Sequence, residues 1–426
     1  MVEAQLNSEQ AAAVKAMTDF LSSAEPFFVL SGAAGTGKTF TIKELVKQVK
    51  GRLIFTAPTN KATKVLAETF SSEDLSGGYK PECRTIFSLL ALRLEANGAV
   101  KELTHPEDPV DLTKYVAVIV DEASMINSNL WEYIKVTAKE QKVKFILMGD
   151  AAQLPPVGEL NSPVWAVEKV VGLTKVMRHD NQILTLATRI RGLVNHPAPS
   201  IKIERDWLGV EGVDRVSERV FRDLIMVKAS IGEFSQKTTC KAIAWRNVTV
   251  DSLNSLIRKA IFPDAVGEFF PEDRIIMTEP AFDLDDNRIT LATTDMEGSV
   301  ERATIEYHPK HGEMKCWRIV VVMDSGHPVV LWKLHPESQA TYNRKLSDLA
   351  SQAKAAPRMW KKYWDFKESF HQLRYAYALT AHRAQGSTYD KVFVDMGDIL
   401  INRNRQEAFR CLYVAVTRPR KQLIIR

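Results

Sequence analysis

Eight consecutive residues, Gly32-Ala33-Ala34-Gly35-Thr36-Gly37-Lys38-Thr39, carry the clearest chemistry in the chain. They fit G-x-x-x-x-G-K-[ST], a loop that wraps the phosphates of a nucleoside triphosphate. Gly35 and Gly37 free the backbone to turn successive N–H groups, that of Thr36 among them, inward onto phosphate oxygens. The N-terminus of a following helix adds partial positive charge. Lys38 is then placed to reach the β- and γ-phosphates, and Thr39 to hold Mg²⁺. A second group follows the apolar run Val118-Ile119-Val120. There Asp121 can bind Mg²⁺, directly or through water, and Glu122 can take a proton from an attacking water. Gln153 follows a third apolar run, 145–148, and can hydrogen-bond the γ-phosphate or that water.

Such groups work only if strands deliver them to one edge of a sheet. Phe27-Phe28-Val29-Leu30 reads as a buried strand before the loop, and Leu45, Val46 and Val49 share one face of a helix after it. Runs at 52–56, 116–120 and 143–148 complete a first parallel sheet. Runs at 241–245, 375–380, 392–395 and 423–425 supply a second. Between about 270 and 370, six prolines and short alternating runs such as 317–322 predict a small β-rich insertion.

A chain of 426 residues exceeds one compact core and suggests roughly three units. No apolar run approaches the ~20 residues of a membrane span. The N-terminus lacks the basic and apolar regions of a signal peptide. Cys83, Cys240, Cys316 and Cys411 are widely spaced, which argues against a disulfide framework or zinc site and for a reducing cytoplasm. The net charge of +5 is uneven: residues 351–426 hold 15 Lys/Arg against 6 Asp/Glu, leaving the rest at −4. A basic C-terminal quarter suits a polyanion partner and equally a solvated charged face.

Further blocks occur in a fixed order. They are Leu6-Asn7-Ser8-Glu9-Gln10, Thr56-Ala57-Pro58-Thr59-Asn60-Lys61-Ala62, Leu173-Thr174-Lys175-Val176-Met177-Arg178, Thr380-Ala381-His382-Arg383-Ala384-Gln385-Gly386-Ser387-Thr388 and Leu412-Tyr413-Val414-Ala415-Val416-Thr417-Arg418. With the phosphate loop, the set resembles the superfamily 1 helicases, in particular the RecD-like branch with its small phage members. The resemblance covers residues 6–418. It implies ATP and Mg²⁺ as cofactors and two RecA-like parallel-sheet domains. The first would span 1–84 and 117–177, with a pin hairpin inserted at 85–116. The second would span 178–270 and 372–426, with a β-rich, SH3-like insertion at 271–371.

By the same resemblance Gln10 reads adenine, although it can also be the reciprocal partner of an Asn7 helix cap. Arg178 and Arg418 reach the γ-phosphate, Arg418 as an in-chain arginine finger. Gln385 and Gly386 link nucleic acid to the nucleotide cleft. Pro58, Thr59, Asn60, Lys61, Phe87, His382 and Thr388 fall on the nucleic-acid side. For Phe87 a stacking platform competes with a place in the core, and the core carries more weight. The implied activity is ATP-driven 5′→3′ travel on single-stranded DNA with duplex unwinding. An RNA helicase, a translocase that does not unwind and a nucleotide-switched binding module are the alternatives. The implied partners are single strands and duplex junctions, with single-strand-binding or replisome proteins beside them. The implied setting is a monomer in bacterial cytoplasm, encoded by the host or a phage, with no membrane.

Asn97-Gly98, flanked by alternating apolar residues, predicts a type I′ hairpin. In the RecD-like branch a hairpin at this place is the pin that splits the duplex. Its tip here carries no aromatic residue, which points to a steric wedge leaning on the insertion.

Overall fold

A computed structural model describes residues 5–71, 81–104, 109–176, 182–196, 201–207, 211–265, 267–286 and 289–426. Strands rich in Val, Ile, Leu and Phe are buried on both faces, as parallel strands between helix layers must be. The first sheet runs Glu82–Thr85, Arg52–Ala57, Tyr115–Val120, Lys144–Gly149, Phe27–Gly32, Val170–Leu173, all parallel. Helices Ser8–Leu21, Lys38–Gln48 and Asn60–Phe70 cover one face with Met17, Phe20, Leu45 and Phe70. Helix Ser128–Gln141 covers the other with Leu130, Trp131 and Ile134.

The second sheet runs Ala378–Thr380, Cys240–Ala244, Tyr389–Val394, Pro419–Ile425, Gly212–Arg215, Asp206–Trp207. It is parallel except for its last pair. The two α/β sheets expected from sequence are therefore both present. Four of their strands, Glu82–Thr85, Val170–Leu173, Gly212–Arg215 and Asp206–Trp207, were not foreseen. Three of them are edge strands and Gly212–Arg215 lies next to an edge; at two to four residues all are too short for a periodicity to register.

One expected strand is corrected. The run 375–380 is two strands in two sheets. Leu373–Tyr375 pairs antiparallel with Arg274–Met277, whereas Ala378–Thr380 pairs parallel with Cys240–Ala244. The chain crosses over at Ala376, whose N–H donates to Arg274 O, and Tyr377, whose carbonyl accepts from Ala242 N–H. Tyr375, Tyr377 and Thr380 favour β structure and no glycine or proline interrupts the run, so nothing in the sequence marks the change of sheet.

The insertion is a five-stranded antiparallel sheet, ordered Pro328–Leu334, His311–Met323, Glu297–His308, Arg274–Met277, Leu373–Tyr375. It also holds helices Gln339–Ala355 and Trp360–Glu368, which a purely β-rich reading omitted. The longer one fully buries only Tyr342 and Ala353, with Leu346 and Leu349 half-buried between them, a thin stripe at helical spacing that the β-rich reading passed over.

A histidine cluster ties these helices to the sheet. His371 Nδ1 accepts from Trp332 N–H at 3.0 Å while its Nε2 donates to Phe282 O at 3.0 Å. His308 Nδ1 accepts from Lys310 N–H at 3.2 Å, and its Nε2 donates to Ser369 O at 3.1 Å. Both rings are neutral in these roles, and burial pushes each down to about 4. Folded values depressed below the usual ~6.5 contribute stability that is full above pH ~6.5 and lost as pH falls toward ~4. The melting temperature is therefore expected to drop through that window. His371→Gln should lower stability at pH ~7.5 and flatten the acid-side slope, which thermal unfolding across a pH series checks. An unchanged slope would place the acid sensitivity elsewhere.

Among the described residues, no helix is long and apolar enough to cross a membrane. All four cysteines are free thiols.

Candidate active site

The phosphate loop joins strand Phe27–Gly32 to helix Lys38–Gln48. Gly35 and Gly37 have φ of +80° and +84°, in the left-handed region that glycine enters without penalty. A Cβ on Gly37 would also meet Gln10 Nε2 at 2.5 Å. Thr36 closes the turn by donating Oγ1–H to Ala33 O at 2.9 Å. Lys38 Nζ donates to Gly32 O and Ala33 O at 2.6 and 3.2 Å, which keeps the ammonium at the mouth of the loop.

Gln10 shows the expected cap and a contact that was not foreseen. It completes a capping box with Asn7, and its Nε2 donates to Thr36 O at 3.1 Å. The buried amide thus braces the loop from behind. Its neighbour Glu9 takes three hydrogen bonds from the Thr174 N–H, the Thr174 hydroxyl and the Lys175 N–H, at 2.8, 2.5 and 3.0 Å. That contact fixes the segment leading toward Arg178, which itself lies outside the described residues.

Strand Tyr115–Val120 ends at Asp121 and Glu122. Glu122 has φ +51° and ψ +40°, a conformation that costs a non-glycine residue about 1–3 kcal/mol. The Asp121 carboxylate offsets part of this by accepting from Glu122 N–H at 2.8 Å. Burial raises both carboxyls. Glu122 is pushed up to about 7 by burial and the adjacent Asp121, against the pull of Arg418 and Lys38. A base poised near neutrality suits proton abstraction. Two adjacent, half-buried carboxylates also call for a cation. The Thr39 hydroxyl and the Asp121 carboxylate would offer it oxygen ligands of the kind Mg²⁺ takes, leaving Glu122 as the base.

The second unit contributes from across the cleft. Arg418 is buried, and its guanidinium donates to Val414 O, Ser387 O and Thr417 Oγ1 at 3.0, 3.1 and 2.8 Å. Burial lowers its pKa and Glu122 raises it again, so the two groups feel each other's charge. A Cβ on Gly35 would stand 3.1 Å from Leu184 Cδ1, which places helix Gln182–Asn195 against the phosphate loop. Ala152 and Leu154 pack in the second unit's hydrophobic core, so the Gln153 turn is seated in it.

Gln153 is buried and accepts from Gln385 Nε2 at 3.0 Å. The next residue, Gly386, has φ +73°, and a Cβ there would lie 3.6 Å from Ala62 Cβ and 3.7 Å from Thr59 Oγ1. Two consecutive residues thus touch the nucleotide-side turn and the helix Asn60–Phe70 that Thr59 caps. Of the other residues expected on the nucleic-acid side, Pro58, His382 and Thr388 are half-buried. Phe87 packs against the first unit's core. Asn60 donates to Thr293 Oγ1 at 2.5 Å, and Lys61 pairs with the buried Glu297 at 2.6 Å. Glu297 also takes Lys241 at 2.8 Å and Arg274 at 3.3 Å, so one carboxylate joins both α/β units and the insertion. Lys61 therefore already has a carboxylate partner, which its sequence context did not signal.

The hairpin pairs Arg93–Asn97 with Val100–Thr104, with Asn97 opposite Val100. Its turn residues are therefore Gly98 and Ala99, one position later than expected. Only Gly98, at φ +64°, is left-handed, which is the II′ pattern and not I′. The tip leans on the insertion as anticipated. Gly98 O accepts from Trp364 Nε1 at 3.0 Å, and Lys101 pairs with Glu368 and stands 5.3 Å from the Trp364 ring. The aromatic surface missing from the tip is supplied by helix Trp360–Glu368.

Comparisons with known proteins agree with this arrangement. An AAA domain family model matches residues 5–196, and a UvrD-like helicase C-terminal domain model matches residues 375–425. The chain is 28% identical to the ATP-dependent DNA helicase dda of Enterobacteria phage T4, over 92% of each protein. These matches are consistent with a superfamily 1 helicase. A further relative, the ATP-dependent DNA helicase Pif1 of Bdellovibrio bacteriovorus, is 32% identical over 42% of this chain and 40% of its own length. The fold matches that of a Bacteroides Pif1 helicase structure in complex with ADP-AlF3 and ssDNA. The TM-score is 0.51 at 16% identity, with 99% of this chain and 92% of the other covered.

Several site residues escaped the sequence reading: Asp150, Arg191, Arg410, Tyr413 and Glu297. Arg410 and Tyr413 sit three apart on one helix, and that spacing was the one available signal.

Proposed function

We propose that the protein is an ATP-dependent DNA helicase that moves 5′→3′ on single-stranded DNA and splits duplexes. The observation that carries the reading is the Gln385-Gly386 turn. One residue bonds the Gln153 turn and the next abuts the Thr59 helix cap, so nucleotide state and strand grip share one turn. The phosphate loop would hold ATP, with Mg²⁺ between Thr39 and Asp121 to neutralise phosphate charge. Lys38 binds the β- and γ-phosphates, Glu122 takes the proton of the attacking water, and Gln153 orients it. Arg178 and Arg418 meet the γ-phosphate when the units close, so ATP favours the closed state and hydrolysis releases it. The strand lies across Pro58, Thr59, Asn60, Lys61, His382 and Thr388 and is gripped alternately by the two units. Lys61 exchanges Glu297 for a phosphate during this cycle.

This reading treats residues 85–116 as the pin and 271–371 as an SH3-like brace, and the working unit as a monomer. Preference for one oligonucleotide sequence over another of equal length should be slight, because backbone contacts dominate, and affinity for single strands should fall as salt rises. Measuring ATP hydrolysis with single-stranded DNA, RNA or neither tests the reading. DNA should stimulate most. Equal stimulation by RNA would favour an RNA helicase, and none by either a nucleotide-switched binding module.

The pin gives a separable prediction. Shortening the ribbon between Leu94 and Lys101 should leave strand-stimulated ATPase activity largely intact and cripple unwinding, since the ribbon contributes nothing to the nucleotide site. Gly98→Val should weaken unwinding in the same way by disfavouring positive φ at the turn. Equal loss of both activities would make the hairpin a part of the fold or the DNA grip.

A further inference from the structure

Helix Arg405–Val416 of the second unit reaches into the first with two side chains one turn apart. Arg410 donates Nη1–H to Gln153 O at 2.9 Å and Nη2–H to Asn161 Oδ1 at 2.8 Å. Tyr413 donates its hydroxyl to Asp150 Oδ2 at 2.6 Å and accepts from Ala34 N–H at 3.2 Å. Ala34 is the third residue of the phosphate loop, and Arg418 stands two residues beyond the helix end. One rigid element thus touches the phosphate loop and the Gln153 turn, and it carries the arginine that faces Glu122.

The phenol is the exchangeable member of this chain. If it leaves, Asp150 keeps Arg191 at 3.1 Å and Ala152 N–H at 3.1 Å, so the buried carboxylate is not stranded. A charged phosphate oxygen is a stronger acceptor for Ala34 N–H than a phenol oxygen. We propose that Tyr413 is a positioning residue whose hydroxyl bridge between Ala34 and Asp150 is traded when the phosphate loop fills, passing nucleotide state to the helix that leads to Arg418. The proposal rests on the motor reading above. It predicts that this one hydroxyl couples nucleotide identity to strand affinity.

Tyr413→Phe in the full chain removes the bridge and keeps the ring. ATP affinity should stay within about threefold, while the ratio of single-strand affinities with a non-hydrolysable triphosphate and with ADP should collapse toward one. Coupling of this kind ordinarily spans about 5–150-fold. DNA-stimulated kcat should fall with KM for ATP little changed. Asp150→Asn breaks the other end of the bridge and should also reduce the ratio. A Tyr413→Phe protein with the wild-type ratio overturns the proposal, whether or not its melting temperature falls, since a packing role alone would lower stability and spare the ratio. Wild-type protein without DNA-stimulated hydrolysis would overturn the motor reading itself. Wild-type hydrolysis with an unaffected variant overturns only the role of Tyr413.

Discussion

Arg418→Ala is expected to lower DNA-stimulated kcat by about 10³–10⁵-fold, the range of arginine fingers in other phosphate-loop enzymes, while ATP binding changes little. The guanidinium is buried, held by three oxygen acceptors of its own unit, and electrostatically coupled to Glu122 across the cleft. Its carbonyl partners fix its direction but do not neutralise it, so developing charge on the transferred phosphoryl group is its natural counterpart. Such a contact strengthens in the transition state and acts on kcat more than on affinity. Arg418→Lys should be nearly as impaired, because an ammonium cannot keep the fork that spans Val414 O and Ser387 O. Steady-state kinetics at saturating DNA decide the matter. A variant whose only defect is a raised KM for ATP would place Arg418 in ground-state binding.

Glu122→Gln should cost about 10²–10⁴ in hydrolysis rate and leave bound ATP trapped. The carboxyl is pushed up to about 7, so the base form is lost as pH falls through that value. Wild-type kcat should therefore show an acid limb near pH ~7, absent from the residual activity of Glu122→Gln. Lys38→Ala should abolish hydrolysis by removing the ammonium at the loop's mouth. Near-normal DNA-stimulated activity in Glu122→Gln would put the base elsewhere.

The parts of this site that could be read from sequence are those whose chemistry demands neighbours in the chain. The phosphate loop, the Asp121-Glu122 pair and the Gln385-Gly386 turn each place their atoms within a few residues, so type and spacing suffice. What could not be read joins distant positions. Tyr413 and Asp150 are 263 residues apart, Arg410 and Gln153 are 257, and Lys61 and Glu297 are 236. Each is an ordinary polar residue until the two units and the insertion are assembled. The hairpin shows a finer limit. Asn97-Gly98 located the turn correctly, but its register places Gly98-Ala99 at the tip, with the Asn97 side chain donating to Glu102 and the Gly98 carbonyl taken by Trp364. Those partners lie outside the dipeptide that gave the signal.

The most direct test of the whole account is unwinding of a duplex bearing a single-stranded tail on one strand, with ATP and Mg²⁺, comparing 5′ with 3′ tails. Strand separation is expected with the 5′-tailed substrate, little with the 3′-tailed one, and none when Lys38 is replaced by Ala. Preferential unwinding of the 3′-tailed duplex, or ATP hydrolysis on single strands with no separation of either substrate, would contradict it.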